Sequence, residues 1–127
     1  MKTFIALILL TISINSHAHW DDWSDSNKGL FLLHESVIIL DWITTRYAAS
    51  NDFYTNGKNR TYEKNPILGN HPSTENVDIY FAVAMVANYF IVDYLPKEYR
   101  NFYLIVSSGV QMHYIKNNIQ LGWKISF

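Results

Sequence analysis

The stretch "DIYFAVAMVANYFIVDYLPKEYRNFYLIVSSGVQMHYI", residues 78–115, decides the fold of this chain. It holds two apolar segments, residues 78–95 and 99–115, and neither shows the strict alternation of a half-buried strand. The turn between them is short and carries Pro96, a residue that helices tolerate in their first turn. Because so short a turn places consecutive helices side by side, the stretch predicts an antiparallel helical hairpin.

A third apolar segment, residues 29–49, lies upstream of the hairpin and also has the length of a helix. Asp25 or Ser26 could cap its start, and Ser73 or Thr74 could cap the first helix of the hairpin. The sequence therefore predicts an all-α fold, a small antiparallel bundle of three helices.

The sequence "LGWKISF", residues 121–127, follows the last helix and alternates apolar and polar residues. It predicts a short extended tail.

The first residues have the pattern of a secretory signal peptide, which we assign to residues 1–18. Lys2 supplies the positive charge, residues 4–14 supply the apolar run, and small residues predict cleavage after Ala18. A retained anchor helix is the alternative, although the apolar run is short for a membrane span. Residues 19–127 would then form a single helical domain.

Charge and cysteine content exclude several classes of function. The full chain has 10 basic and 11 acidic residues, so loss of Lys2 leaves 9 against 11, a net charge of −2. Such a balance offers no basic surface, and nucleic acid is excluded as a partner. The chain has no cysteine, which excludes disulfides, thiolate chemistry and a lipid-anchored lipoprotein.

Two features favour helices that are embedded in a membrane. With the cleaved N-terminus outside, six basic residues fall inside and three outside, in agreement with the positive-inside rule. Most Trp and Tyr residues lie near segment ends, where interfacial belts occur. The inside residues are Arg46, Lys58, Arg60, Lys64, Lys116 and Lys124, and the outside residues are Lys28, Lys97 and Arg100.

Polar side chains within the apolar segments favour the opposite interpretation. His34, Glu35 and Asp41 lie inside the first segment and are costly in hydrocarbon. The mean hydropathy of the chain is also near zero. A water-soluble periplasmic bundle is therefore the alternative to a membrane-embedded one.

Polar residues of the first helix fall on roughly one stripe, because the seven residues from His34 to Asp41 make nearly two turns. Thr44 and Thr45 follow Asp41 at helical spacing, and either hydroxyl could donate to its carboxylate. An acid at this depth needs such a partner.

His113 and Asn117 are one turn apart on the last helix, and packing could bring His113 close to Asp41. With Glu63, these two residues could form a small membrane-embedded, metal-assisted hydrolase. A structural hydrogen-bond network is favoured instead, because the sequence lacks zinc, nucleophile, phosphate and calcium motifs, and no metal or cofactor is predicted. The network would comprise His34, Asp41, Thr45, Arg46, Glu63, Asn65, His113 and Asn117.

The polar sequence "YEKNPILGNHP", residues 62–72, separates the first two helices. Its two prolines make the residues before them extended, and Gly69 permits a positive φ. These constraints predict a rigid loop, in which Glu63 and Asn65 satisfy helix ends or pair with Arg46.

Several stretches resemble a group of small envelope proteins of bacteria and phages: "DWITTRYAA", "YEKNPILGNHPS", "VDIYFAVA", "LPKEYR" and "NNIQLGWKISF". The likeness spans nearly the whole mature chain and is most specific in the loop. A more distant likeness is to a domain of unknown function whose helices carry Asp-x-x-x-Thr and Glu-x-Asn-Pro. The resemblance implies no activity, and it implies a shared pattern of Asp41, Thr45, Arg46, Glu63, Asn65, Pro66, Gly69 and Pro72.

Taken together, these observations predict an exported protein of the inner membrane with a periplasmic N-terminus. Its expected role is non-enzymatic, structural or interactive, such as a change to the envelope during phage infection. Membrane lipid and another envelope protein are the expected partners. The competing hypotheses are the hydrolase and a soluble periplasmic binding module.

Overall fold

The computed structural model describes residues 19–51, 53 and 63–125. The predicted signal peptide with its cleavage point after Ala18 lies outside the described residues. So do the basic residues Lys58 and Arg60 and the last two residues of the tail.

The described part of the chain is all-helical and contains no strand, as predicted. A short 3-10 turn, His19–Asp22, precedes three long helices: α1 (Asp25–Ser50), α2 (Thr74–Tyr94) and α3 (Lys97–Gln120). At 1.5 Å per residue these helices measure about 39, 31 and 36 Å.

The helix starts follow from local side-chain chemistry. Ser24 accepts the backbone N–H of Asn27 at 3.1 Å, and the Asn27 side chain accepts the backbone N–H of Ser24 at 3.2 Å. This capping box begins α1 earlier than predicted, and the expected caps at Asp25 or Ser26 are wrong. The predicted cap of α2 is confirmed, because Ser73 accepts the backbone N–H of Asn76.

The end of α3 explains the sequence "LGWKISF". Gly122 has a φ of 88°, and the backbone N–H of Trp123 donates to the carbonyl of Asn118 at 3.0 Å. Together with the bond from Gly122 to Ile119, this is a Schellman motif, which requires the left-handed conformation that glycine adopts easily. The predicted extended tail is therefore a helix-ending turn that buries Trp123 against Ala48.

The second and third helices form the predicted antiparallel hairpin. Arg100 stabilises the turn of this hairpin through two hydrogen bonds to backbone carbonyls. Its Nε–H donates to Leu95 at 3.0 Å, and its Nη2–H donates to Asp93 at 2.8 Å. Helix α1 packs on both arms, whereas α2 and α3 touch each other little. The arms are joined by a bond from Tyr103 to Asn88 and diverge beyond it.

Two apolar clusters fill the ends of the bundle. Near the hairpin turn, the cluster is Trp23, Phe31, Val92 and Leu104. At the open end, the cluster is Ile38, Leu68, Val77 and Phe81.

The loop between α1 and α2 supplies Leu68 to the cluster at the open end and is held by its own hydrogen bonds. The backbone N–H of Gly69 donates to the Asn65 carbonyl, that of Asn65 to the Glu63 carboxylate, and that of Ile67 to the Asn65 side chain. Gly69 has a φ of 74°, in the region that favours glycine. These hydrogen bonds and the burial of Leu68 attach the loop to the open end of the bundle.

Candidate functional site

Three polar residues of α1, each seven positions after the last, contact α3. Asn27 donates to the Asn101 side chain at 2.6 Å. His34 Nδ1 lies 3.0 Å from Ser108 Oγ. Asp41 accepts from the side chain of Asn118 at 2.9 Å. These three contacts fix the register of two parallel helices, since residue numbers on both increase together.

A second polar junction joins all three helices. Asn88 of α2 donates to the Glu35 carboxylate of α1 at 2.6 Å, and it accepts from the Tyr103 hydroxyl of α3 at 2.9 Å. Asn88 is buried and Glu35 is half-buried. The hydrogen bond from the Asn88 amide lowers the cost of placing the Glu35 carboxyl group between the helices.

At the open end of the bundle, Asp78 holds α1 against α2. It accepts from the Trp42 indole at 2.8 Å and from Arg46 Nε at 3.0 Å. Arg46 and Asp78 form an ion pair that is partly exposed. An ion pair of this exposure contributes only about 1 kcal/mol, so its main effect is to orient the two helices.

Next to this ion pair lies a partly open cavity of about 250 Å³, which we call the acidic pocket. Asp41 is 8% exposed, Glu63 is half-buried, and both residues line this cavity. Basic, amide and aromatic side chains also line the pocket. Its lining includes Asp41, Glu63, Lys64, Tyr80, Tyr114 and Trp123.

A second concavity of about 870 Å³, which we call the hairpin groove, runs between the diverging arms of α2 and α3. Its walls are mainly aliphatic, with Val83, Ala87 and Ile91 on α2 and Val110 on α3. The groove and the acidic pocket are continuous, because Leu68, Tyr80 and Gln111 line both.

The structure divides the predicted polar network between different places. Asp41, Thr45, Glu63, Asn65 and Asn117 all line the acidic pocket. The remaining residues lie elsewhere. His34 contacts Ser108 and lines the hairpin groove, and Arg46 forms an ion pair with Asp78. His113 is exposed on the surface of α3.

His113 does not take the place that the hydrolase hypothesis gave it. Its Nε2 lies 3.1 Å from the side chain of Asn117, one turn further along the same helix. Asp41 accepts from Asn118 instead. Of the three hydrolase residues, the acidic pocket contains Asp41 and Glu63 alone.

Sequence reasoning missed Asn118, Asn88 and Asp78 as partners. The heptad spacing from Asn27 through His34 to Asp41 was a usable signal, because it places polar residues on one helix face. No comparable spacing identified Asn88, which interrupts an apolar run singly.

Within residues 19–51, 53 and 63–125, no group of three or more His, Asp or Glu side chains is arranged to hold a metal ion. The acidic pocket offers two carboxyl groups, the Lys64 ammonium group, the Thr45 hydroxyl, amides and aromatic rings.

No protein family, curated protein or solved structure matches this chain. The resemblance to small envelope proteins stays a prediction from the quoted motifs.

Proposed function

We propose that this chain is a small exported membrane protein of non-enzymatic role, whose three helices lie in the bilayer and are joined by polar contacts. The observation that carries the proposal is the distribution of side chains between surface and interior. Large apolar side chains point outward on all three helices, whereas the buried set includes eight polar or charged residues. On a water-soluble bundle the outward faces of the helices carry mainly polar and charged side chains.

The outward apolar side chains are large and lie in the middle of the helices. Leu33 on α1 is 55% exposed, and Phe102 and Ile105 on α3 are 68% and 59% exposed. Scattered single residues of this kind are ordinary on soluble proteins, but a contiguous apolar surface marks contact with lipid or another protein.

The charged residues mark two ends of an uncharged band. On α2, residues 79–92 contain no charged side chain, and on α3 the same holds for residues 101–115. Each run measures about 21–23 Å at 1.5 Å per residue. On α1, Glu35 and Asp41 fall within the band, but both face other helices through their bonds to Asn88 and Asn118.

Helix α2 supports the proposal by its length and burial. It is the one helix in the described part of the chain that is long and apolar enough to cross a membrane, and 22% of its apolar window is buried inside the protein. A core helix of a soluble protein would be mostly buried.

The polar contacts support a structural role for most of the predicted site residues. His34, Asp41 and Arg46 each have a partner on another helix. In lipid, interhelical hydrogen bonds of this kind contribute about 0.6 kcal/mol each on average. We infer that they fix register and orientation, and that the protein acts in the envelope through its surface and its pocket.

Cysteine labelling tests the membrane placement, because the natural chain contains no cysteine. Val106 lies in the middle of α3 and is 48% exposed. We expect Val106→Cys to resist a water-soluble maleimide in intact membranes and to react after denaturation. Glu98→Cys, at the exposed start of α3, is the matched control and should react in both conditions.

The same variants report the direction of insertion. In intact spheroplasts, Glu98→Cys should be labelled from outside, whereas Lys116→Cys should be labelled only after permeabilisation. A full-length chain that is soluble without detergent and reacts equally at residues 106 and 98 would show that the proposal is wrong.

A further inference from the structure

The acidic pocket and the hairpin groove meet at one end of the uncharged band. We infer that together they bind one lipid of the phosphatidylethanolamine class, with its head in the acidic pocket and one acyl chain in the hairpin groove. This inference rests on the proposed membrane placement.

The pocket has the chemistry that a primary ammonium group requires. Asp41 and Glu63 line the same cavity, so a cation bound there is attracted by both carboxyl groups. The rings of Tyr80, Tyr114 and Trp123 complete the lining, and aromatic faces attract cations.

The pocket also fits the rest of the head group. Lys64 lines it and is otherwise exposed, which places a positive charge where a lipid phosphate could be paired. A volume of about 250 Å³ is well above the ~10–15 Å³ that a cavity needs to hold one water molecule, so the pocket has room for a small polar group.

The groove has the chemistry and position that an acyl chain requires. It begins beside Tyr80, which it shares with the pocket, and continues along α2 past Ala87 to Ile91. These residues belong to the uncharged band, so the groove runs from the band's end towards its interior. A lipid bound in this way would keep its head at the membrane surface.

The chemistry of the head group distinguishes this lipid from other phospholipids. Phosphatidylglycerol has no ammonium group, so its head group offers no cation to the carboxylates of Asp41 and Glu63. Phosphatidylcholine has a cation but no N–H to donate to Asp41 or Glu63. The expected order of affinity is therefore phosphatidylethanolamine, then phosphatidylcholine, then phosphatidylglycerol.

Lipid retention measured by native mass spectrometry tests the inference. The full chain is purified in detergent and exposed separately to each of the three lipids. We expect phosphatidylethanolamine to be preferred over phosphatidylglycerol by about tenfold, the equivalent of one charge-assisted hydrogen bond. The preference should be lost in Asp41→Asn and in Glu63→Gln, and retained in the control Glu98→Gln, an exposed acid at the other end of α3.

The groove is tested separately. Ala87→Trp fills it from an exposed position, and should lower retention of all three lipids while leaving the helical circular dichroism unchanged. Soluble phosphoethanolamine is the second probe. If it competes as strongly as the whole lipid, the acyl-chain part of the inference is wrong.

The head-group part is overturned if the wild-type chain shows no preference, or if the preference survives in both Asp41→Asn and Glu63→Gln. The cysteine labels distinguish this result from failure of the proposed function. A protein protected at Val106→Cys but indifferent to lipid head groups would leave the membrane placement intact.

Discussion

At the scale of single residues, Asp41 combines a structural contact with a place in the acidic pocket. One carboxylate oxygen accepts from Asn118, whose amide also donates to Thr44 at 3.1 Å. The carboxyl group is also hydrogen-bonded by the Thr45 side chain, and Asp41 lines the cavity. Packing therefore needs an acceptor at this position, whereas binding a cation needs the negative charge.

This division of roles predicts different outcomes for two substitutions of Asp41. Asp41→Asn keeps an oxygen acceptor for Asn118, so the free energy of unfolding should change by less than about 1 kcal/mol. Asp41→Leu leaves the Asn118 amide without that acceptor and should cost about 1–3 kcal/mol. Unfolding of the detergent-solubilised chain with increasing SDS measures both. Equal losses for the two variants would show that the charge itself stabilises the bundle.

Two exposed glycines, Gly109 within α3 and Gly122 in the turn after it, predict stability changes of opposite sign. Gly122 has a φ of 88°, so Gly122→Ala forces a side chain into the left-handed region and should cost about 1–2 kcal/mol. Gly109 is helical with nothing within 4 Å of an added Cβ, so Gly109→Ala should stabilise by about 0.5–1 kcal/mol. The same unfolding titration compares them, and a loss at Gly109 would indicate that a partner packs on this face.

At the scale of elements, the apolar segments predicted the three helices, but not their limits. Helix α1 starts at Asp25 rather than residue 29 because Ser24 and Asn27 form a capping box. Helix α3 continues to Gln120 rather than residue 115 because the Gly122 turn ends it. Polar caps decide these boundaries, and apolar periodicity carries no information about them.

The partners of the site residues were harder to predict than the helices. Each residue turns a helix by about 100°, so the choice between Asn117 and Asn118 as the partner of Asp41 depends on how the helices cross. That crossing is fixed by side chains on all three helices together. The loop was predictable, because its prolines and Gly69 limit the backbone locally.

The Asn88 junction predicts a measurable coupling between two helices. Tyr103→Phe removes the bond to Asn88 and should cost about 0.5–1.5 kcal/mol. Asn88→Leu also removes the donor to Glu35 and should cost about 1–3 kcal/mol. In the Asn88→Leu background, Tyr103→Phe should have almost no further effect. A double-mutant cycle of unfolding free energies tests this, and additive losses would show that the two groups act independently.

At the scale of the whole molecule, polar contacts and surface composition are parts of one arrangement. In lipid, apolar side chains gain little free energy by moving from lipid to a helix interface. Helix association therefore depends on packing and on polar contacts between helices. Under the proposed membrane placement, the contacts from Asn27 to Asn101, from His34 to Ser108 and at Asn88 are the ones that hold the helices together along the bundle.

The short uncharged band predicts a preference for thin bilayers. It spans about 21–23 Å, against about 30 Å for a typical hydrocarbon core. A mismatch of about 8 Å costs fractions of a kcal/mol per Å, so the total is on the order of a few kcal/mol. We expect the chain reconstituted in short-chain phosphatidylcholine to unfold at a higher temperature than in long-chain phosphatidylcholine.

A pair of lysine variants separates band length from loss of charge. Lys116→Leu extends the uncharged run of α3 from residue 101 to residue 123 and should move the optimum towards thicker bilayers. Lys97→Leu removes the same charge at the other end, where Glu98 and Arg100 still limit the band, and should leave the optimum unchanged. If both variants shift the optimum equally, net charge rather than hydrophobic length sets the preference. If neither bilayer thickness nor Lys116→Leu has an effect, the uncharged band does not lie across the hydrocarbon core.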